Sequence, residues 1–207
     1  MRRQIISFVA LVGAMVTVGD VMAQDPGVAA RRTEIEDMLE RGRWGEAYEA
    51  LTALEGDVDA MTQSHDAEWV EYQKVRTAVE LGVAEAELLM EEFIDSYPAS
   101  IYRNDMLFML ASFYTDNGMT EQGERVFADV DYKALDGRAR ERYDMRMGYI
   151  RFQEGDYARA KGHLSKVSKL SDYYPHALYF TSYMNYVGGE LESAKEGFRQ
   201  RIGRAHV

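Results

Sequence analysis

Cysteine is absent from this chain. Its absence excludes disulfides and thiolate metal sites, and removes the attachment point an exported lipoprotein needs behind its leader. Proline is scarce, with three in 207 residues, and short alternating apolar runs bounded by turn residues are missing, so strands are not expected. Positive charge is in deficit: 24 Lys and Arg against 35 Asp and Glu give a formal net charge of −11. Residues 1–23 carry two Arg and one Asp, so the remainder stands at −12. Phosphate-dominated binding needs a basic face, so nucleic acid is not an expected partner. Basic protein surfaces are the complementary class, although the same charge also keeps a protein soluble.

Long apolar runs are lacking too. The one candidate is Ile5 to Val18, preceded by Arg2 and Arg3 and closed by Asp20. It is shorter than the roughly 20 residues a membrane-spanning helix requires. Val21 and Ala23 stand where a signal peptidase reads, so residues 1–23 are expected to be a cleavable signal peptide and 24–30 a short linker. Export without a lipid anchor predicts a soluble protein, periplasmic and with outer-membrane association as one possibility. Arg2 and Arg3 alone are too little for a twin-arginine signal.

What is present is repetition. A glycine followed five residues later by a small residue recurs as Gly42 to Ala47, Gly118 to Gly123, Gly155 to Ala160 and Gly189 to Ala194, with a degenerate copy opening at Gly82. The glycine spacings are 40, 36, 37 and 34, and a period near 34 residues marks stacked helical hairpins. Apolar residues at three- and four-residue spacing predict helices over nearly all of residues 31–200, in units of about 31–55, 66–98, 100–131, 137–170 and 175–200. Thr33 to Glu40 reads as the first helix. Tyr97-Pro98 separates the second unit from the third, because proline lacks the amide a helix needs and restrains the residue before it. Ala47, Gly123, Ala160 and Ala194 are expected where two helices cross closely, and Leu51, Phe127, Leu164 and Phe198, four residues on, to fill the space beyond. In the second unit the crossing position falls on Glu87 or Ala86, so that unit is expected to pack less regularly.

The motifs Gly42, Trp44 and Ala47; Tyr97 and Pro98; Leu110, Ala111 and Tyr114; Gly148, Gly155, Tyr157 and Ala160; and Gly189 and Ala194 make the chain resemble the tetratricopeptide repeat (TPR) family from about Arg31 to Gln200. With the leader ending in Ala-Gln and no lipid-accepting cysteine, it looks more narrowly like the long exported TPR proteins of Bacteroidota. The resemblance implies an all-α, right-handed α-solenoid of about five TPR-like hairpins. It also implies a concave groove for proteins or peptides, and no enzyme chemistry. The tail 201–207 departs from the helical pattern. Ile202 to Val207 is similar to the translation of a common sequencing adapter, so the chain is expected to be an N-terminal fragment whose gene model overran its true end.

Chemistry-bearing constellations do not emerge. His65, His163, His176 and His206 are far apart in sequence with no ligand spacing between them, and phosphate-loop, dinucleotide and nucleophile-elbow motifs are missing. Asp57 and Asp59 lack the spacing of a calcium loop, and pairs such as Glu91-Glu92 or Glu85 and Glu87 read as solvated helix surface. No cofactor, metal ligand or catalytic residue is assigned. The one candidate surface is His176, Tyr179, Tyr183 and Tyr186, which advance by three and four residues along one helix face. That face reads as groove lining if the unit is aligned from Gly189, and as core if Phe180 and Met184 are too thin a buried stripe alone. The expected function is a non-enzymatic exported scaffold for protein–protein or protein–peptide interaction in a cell-envelope assembly. The alternatives are a glycan-binding outer-membrane-associated repeat protein, whose tyrosines would stack on sugars, and the periplasmic sensor portion of a larger signalling protein.

Overall fold

The computed structural model describes residues 26–58 and 65–204. Ten helices and no strand occur among them: α1 Pro26–Glu40, α2 Trp44–Val58, α3 His65–Leu81, α4 Ala86–Ser96, α5 Arg103–Asp116, α6 Thr120–Asp129, α7 Gly137–Gln153, α8 Tyr157–Leu164, α9 Tyr174–Val187 and α10 Leu191–Arg204. Odd and even helices pair into five hairpins, and each hairpin packs on the next. The signal peptide expected at 1–23 lies outside the described residues, as do Asp59 and the rest of 59–64. No described helix is long and apolar enough to cross a membrane.

The repeated glycines are what turn each hairpin. Gly42, Gly82, Gly118, Gly155 and Gly189 all have φ between 66° and 82°, the left-handed region where a Cβ would be strained. In every one the glycine amide donates to the carbonyl three residues back and the next amide to the carbonyl five back. Gly155 to Phe152 at 3.1 Å and Asp156 to Arg151 at 2.9 Å are an example. This paired closure satisfies carbonyls the helix end would otherwise leave open. In the fourth unit the next helix starts at once, because the Asp156 carboxylate accepts the Arg159 amide at 3.0 Å as an N-cap.

Past each turn the crossing residues pack as the spacing predicts. Ala47 and Ala160 are fully buried and Ala194 nearly so, followed by Leu51, Phe127 and Leu164 in the core. A Cβ on Gly123 would sit 2.5 Å from Thr115 and 3.0 Å from the Ala111 carbonyl, and one on Gly148 would sit 2.6 Å from Leu164. Bulk at either place would force the helices apart. Each plug contributes roughly 1.5–3 kcal/mol by leaving water. Phe198, the last one, is only half-buried.

Four boundaries differ from expectation. First, α1 begins at Pro26, inside the stretch assigned to a linker and seven residues before Thr33, because a proline suits a first helical turn that has no use for its amide. Val28 is then buried against the first hairpin. Second, α4 begins four residues after its glycine where the other even helices begin two after theirs. The extra half turn, closed by the Ala86 amide on the Val83 carbonyl, moves the crossing residue to Ala86 and the plug to Met90, both buried. Glu87 is thereby left off the crossing, half-buried. Third, α10 continues to Arg204, beyond the predicted end at Gln200, and fourth, α2 continues to Val58, past the predicted unit end at residue 55.

The apolar interior is divided. One cluster runs from Val28 to Val70, a larger central one from Tyr72 to Ile150, and a third from Ala160 to Met184. Tyr102 bridges the first two, stacked on Tyr72 at 4.3 Å between ring centroids.

Candidate functional site

Because α7 touches α5 on one side and α9 on the other, the odd helices of the last three units form one continuous layer. The shared face holds a depression of about 530 Å³, lined among others by Asp116, Arg146, Tyr149, Gln153, Tyr173 and His176. Its wall is an ion pair. Arg146, at the middle of α7, reaches across to Asp116 at the end of α5 with 2.7 Å between nitrogen and oxygen. Tyr149, one turn further along α7, is 41% exposed and rests its ring 5.2 Å from Phe180 of α9. Polar groups thus alternate with aromatic surface along the layer, an arrangement suited to holding an extended chain or a ring rather than to moving protons.

Deeper on α7 and closer to its start, Arg142 lies with its guanidinium 5.1 Å from the centre of the Phe108 ring of α5. The Nε atoms of Arg142 and Arg146 and the Ser112 hydroxyl are buried and have no hydrogen-bond partner. Residues 108, 112 and 116 of α5 are spaced by four, as are 142 and 146 of α7. The two rows therefore face each other along the helix junction.

The stripe His176, Tyr179, Tyr183 and Tyr186 is divided by the structure. His176 lines the depression. Tyr183, 38% exposed, packs edge-on to Phe152 of α7 at 5.5 Å. Tyr179 turns toward α10, 5.9 Å from Phe198 and with the Arg201 guanidinium 4.6 Å over its ring. Tyr186 is 59% exposed. At about 100° per residue the four span an arc of about 80°, wide enough to meet a neighbour on each side. The buried seam of α9 is instead Ala177, Ser182 and Met184.

A buried carboxylate that the sequence did not single out lies on the far side of α7. Asp144 accepts hydrogen bonds from the Tyr132 hydroxyl at 2.6 Å and Lys166 Nζ at 3.1 Å, and pairs with His163 Nδ1 at 2.8 Å. Burial pushes its pKa up, but the bonds from His163, Tyr132 and Lys166 outweigh that and hold it below the ordinary aspartate value. Burial and the bond to Asp144 push the Tyr132 phenol up to about 12. The four groups fasten the loop 130–136 and α8 to α7; their role is structural. Tyr114 similarly donates to the exposed Glu91 at 2.8 Å. Among the described residues no group of three or more His, Asp or Glu is placed to hold a metal.

No protein-family model matches the sequence, and no curated protein is similar to it in sequence. The fold does have a counterpart. It is similar to the crystal structure of a variant Podosopora anserina kinesin light chain with nearly identical TPR-like repeats, at a TM-score of 0.61 and 16% identity over 86% of this chain and 93% of the other. The architecture is therefore a TPR-like α-solenoid of helical hairpins.

Proposed function

We propose that this chain is a non-catalytic exported scaffold that holds protein or peptide segments on the inner layer α5, α7 and α9, within a cell-envelope assembly. The observation that carries this reading is the open depression of about 530 Å³ shared by three consecutive units. A stack of repeats offers a long surface to one ligand, and a surface with exposed Tyr149, Tyr183 and Tyr186 has the rigid amphipathic area that protein contacts favour. Export rests on Arg2, Arg3, the apolar run Ile5 to Val18 and the Val21, Ala23 cleavage pattern.

The test is site-specific photo-crosslinking in cells that carry the complete gene. A photoreactive residue at Tyr149 is expected to capture defined proteins, and one at Leu170, 95% exposed in a loop, is expected not to capture them. Fractionation of the same cells is expected to place the protein in the periplasm with residues 1–23 removed. A polysaccharide on the Tyr149 probe in place of protein refutes the reading and supports glycan binding through the tyrosines.

A further inference from the structure

The two most exposed large apolar side chains among the described residues both stand at loop tips, Leu170 at 95% and Ile101 at 80%. They share an edge of the molecule. Partners advance together along consecutive odd helices: Glu68 with Ser100 and Tyr72 with Asp105, Phe108 with Arg142 and Asp116 with Arg146, Tyr149 with Phe180 and Phe152 with Tyr183. The odd helices are therefore parallel. The connections that lead into them, 97–102, 130–136 and 165–173, lie at one end of the stack, and the glycine turns lie at the other. Contacts join the connections into a ridge. The Asn104 side chain donates to the Asp131 carbonyl at 3.2 Å and accepts the Asp131 amide at 2.7 Å. Lys166 Nζ is 5.1 Å from the centre of the Tyr132 ring, and the Ser168 amide donates to Glu141 at 3.2 Å.

The two edges differ in composition. The ridge connections hold four half-buried tyrosines, Tyr97, Tyr102, Tyr132 and Tyr173, and set three lysines against three aspartates. Two of those aspartates turn inward, Asp131 onto the Lys133 amide at 2.9 Å and Asp136 onto the Ala139 amide at 2.7 Å. The turns at 41–43, 82–85, 117–119, 154–156 and 188–190 contain no aromatic residue and set two arginines against four acids. In a chain whose net charge is −11, the neutral ridge is the edge that approaches an anionic surface at least cost. Tyrosine and lysine suit a headgroup layer, where their apolar parts are covered and their polar tips stay wet. Bare aliphatic tips gain by entering the layer beneath. A protein partner would need a fitted pocket for each separate tip, whereas a fluid surface yields to both. From the shared edge, its neutral charge and the two bare tips, we infer that the ridge docks this protein on a lipid bilayer surface, with Ile101 and Leu170 inserted. The inference goes beyond the groove reading and uses a different part of the molecule.

The chain has no cysteine, so a single introduced one carries the only label. The experiment places an environment-sensitive fluorophore on the full chain at Leu170→Cys or at Leu191→Cys, which is 59% exposed on the opposite edge. Vesicles of phosphatidylethanolamine with a minor share of phosphatidylglycerol are then added. The label at 170 is expected to brighten and shift to the blue, and the label at 191 to stay unchanged. The response at 170 is expected to persist in about 1 M salt, where the Debye length is about 3 Å, because apolar insertion is not screened. Ile101→Ser is expected to raise the lipid concentration needed for that response about tenfold, the worth of one buried aliphatic side chain, with circular dichroism and melting midpoint unchanged. No response at 170, an equal response at 191, loss of the response in high salt, or indifference to Ile101→Ser overturns the inference. Proteins captured in cells by a photoreactive residue at Leu170 also overturn it, in favour of a protein interface on the ridge. Capture at Tyr149 is read independently, so the groove reading stands or falls apart from all of these results.

Discussion

Adding one methyl group at Gly148 tests the close approach of α7 and α8. In Gly148→Ala the new Cβ falls 2.6 Å from both Cγ and Cδ2 of Leu164 and 3.4 Å from the Ala160 carbonyl. Ordinary van der Waals contact begins near 3.4 Å, so Leu164 must yield by about 0.8 Å at its branch point. Leu164 is only 3% exposed and has no open side to move into. Overpacking of this kind costs about 1–3 kcal/mol, and the overlap at a branch carbon puts it near the upper end. Helix propensity opposes it, since alanine is favoured over glycine in a helix interior by about 1 kcal/mol. The net is a loss of about 2 kcal/mol, which for a chain of this size lowers the melting midpoint by about 4–8 °C. Two comparisons make the argument specific. Gly162→Ala, in α8 with nothing within 4 Å of its Cβ, is expected to raise stability by about 0.5–1 kcal/mol. Leu164→Ala removes the atoms that clash, so Gly148→Ala in that background is expected to stop being destabilising, a coupling of 1 kcal/mol or more by double-mutant cycle. Thermal melts followed at 222 nm measure all four proteins. A neutral or stabilising Gly148→Ala, or strict additivity with Leu164→Ala, refutes the reasoning.

Gly155→Ala meets no atom within 4 Å but has φ of +79°, so it isolates the backbone cost and is expected to destabilise by about 1–2 kcal/mol in the same melts. Asp144→Asn is expected to lower stability at pH 7 by about 1–3 kcal/mol. Since the native pKa of Asp144 lies below its unfolded value, its contribution is complete above the unfolded pKa of about 3.9 and is lost as pH falls through the lower native one. The gap between wild type and variant in urea melts should therefore stay constant from pH 7 to about 5 and close below pH 4. Spectrophotometric titration should find the Tyr132 phenol ionising near pH 12, and earlier in Asp144→Asn. Ala86→Leu is expected to cost about 1–3 kcal/mol by overpacking, whereas Glu87→Ala stays within about 0.5 kcal/mol. The reverse order would return the second crossing to the position expected from spacing alone.

Hairpin turns and crossings were legible because each depends on one local property: a glycine for the left-handed residue, a missing side chain for the close approach. Even the failure in the second unit is instructive. Gly82 turns its helix like the others, but Val83, Ala84 and Glu85 add a half turn before α4, and with no Ser, Thr, Asp or Asn among them to cap a helix they give no sign of where it begins. The start of α1 was hidden because Pro26 punctuates a linker as readily as it opens a helix. The groove was legible only in part. A stripe on one helix includes His176, which lines the depression, but the Arg142 and Arg146 row is placed only opposite Phe108, Ser112 and Asp116 on another helix, about 30 residues away. Asp144 is the extreme case: between Tyr143 and Met145 it looks like surface, and its burial depends on partners 12 residues before it and 19 and 22 after.

The division of the interior into three clusters joined end to end, with Tyr102 as the link between two of them, has a mechanical consequence. Each boundary is a place where a few degrees of rotation break little buried contact, and small rotations summed along the stack change its curvature. A stack joined in this way is expected to bend along its whole length, as a coil spring does, before any one hairpin opens.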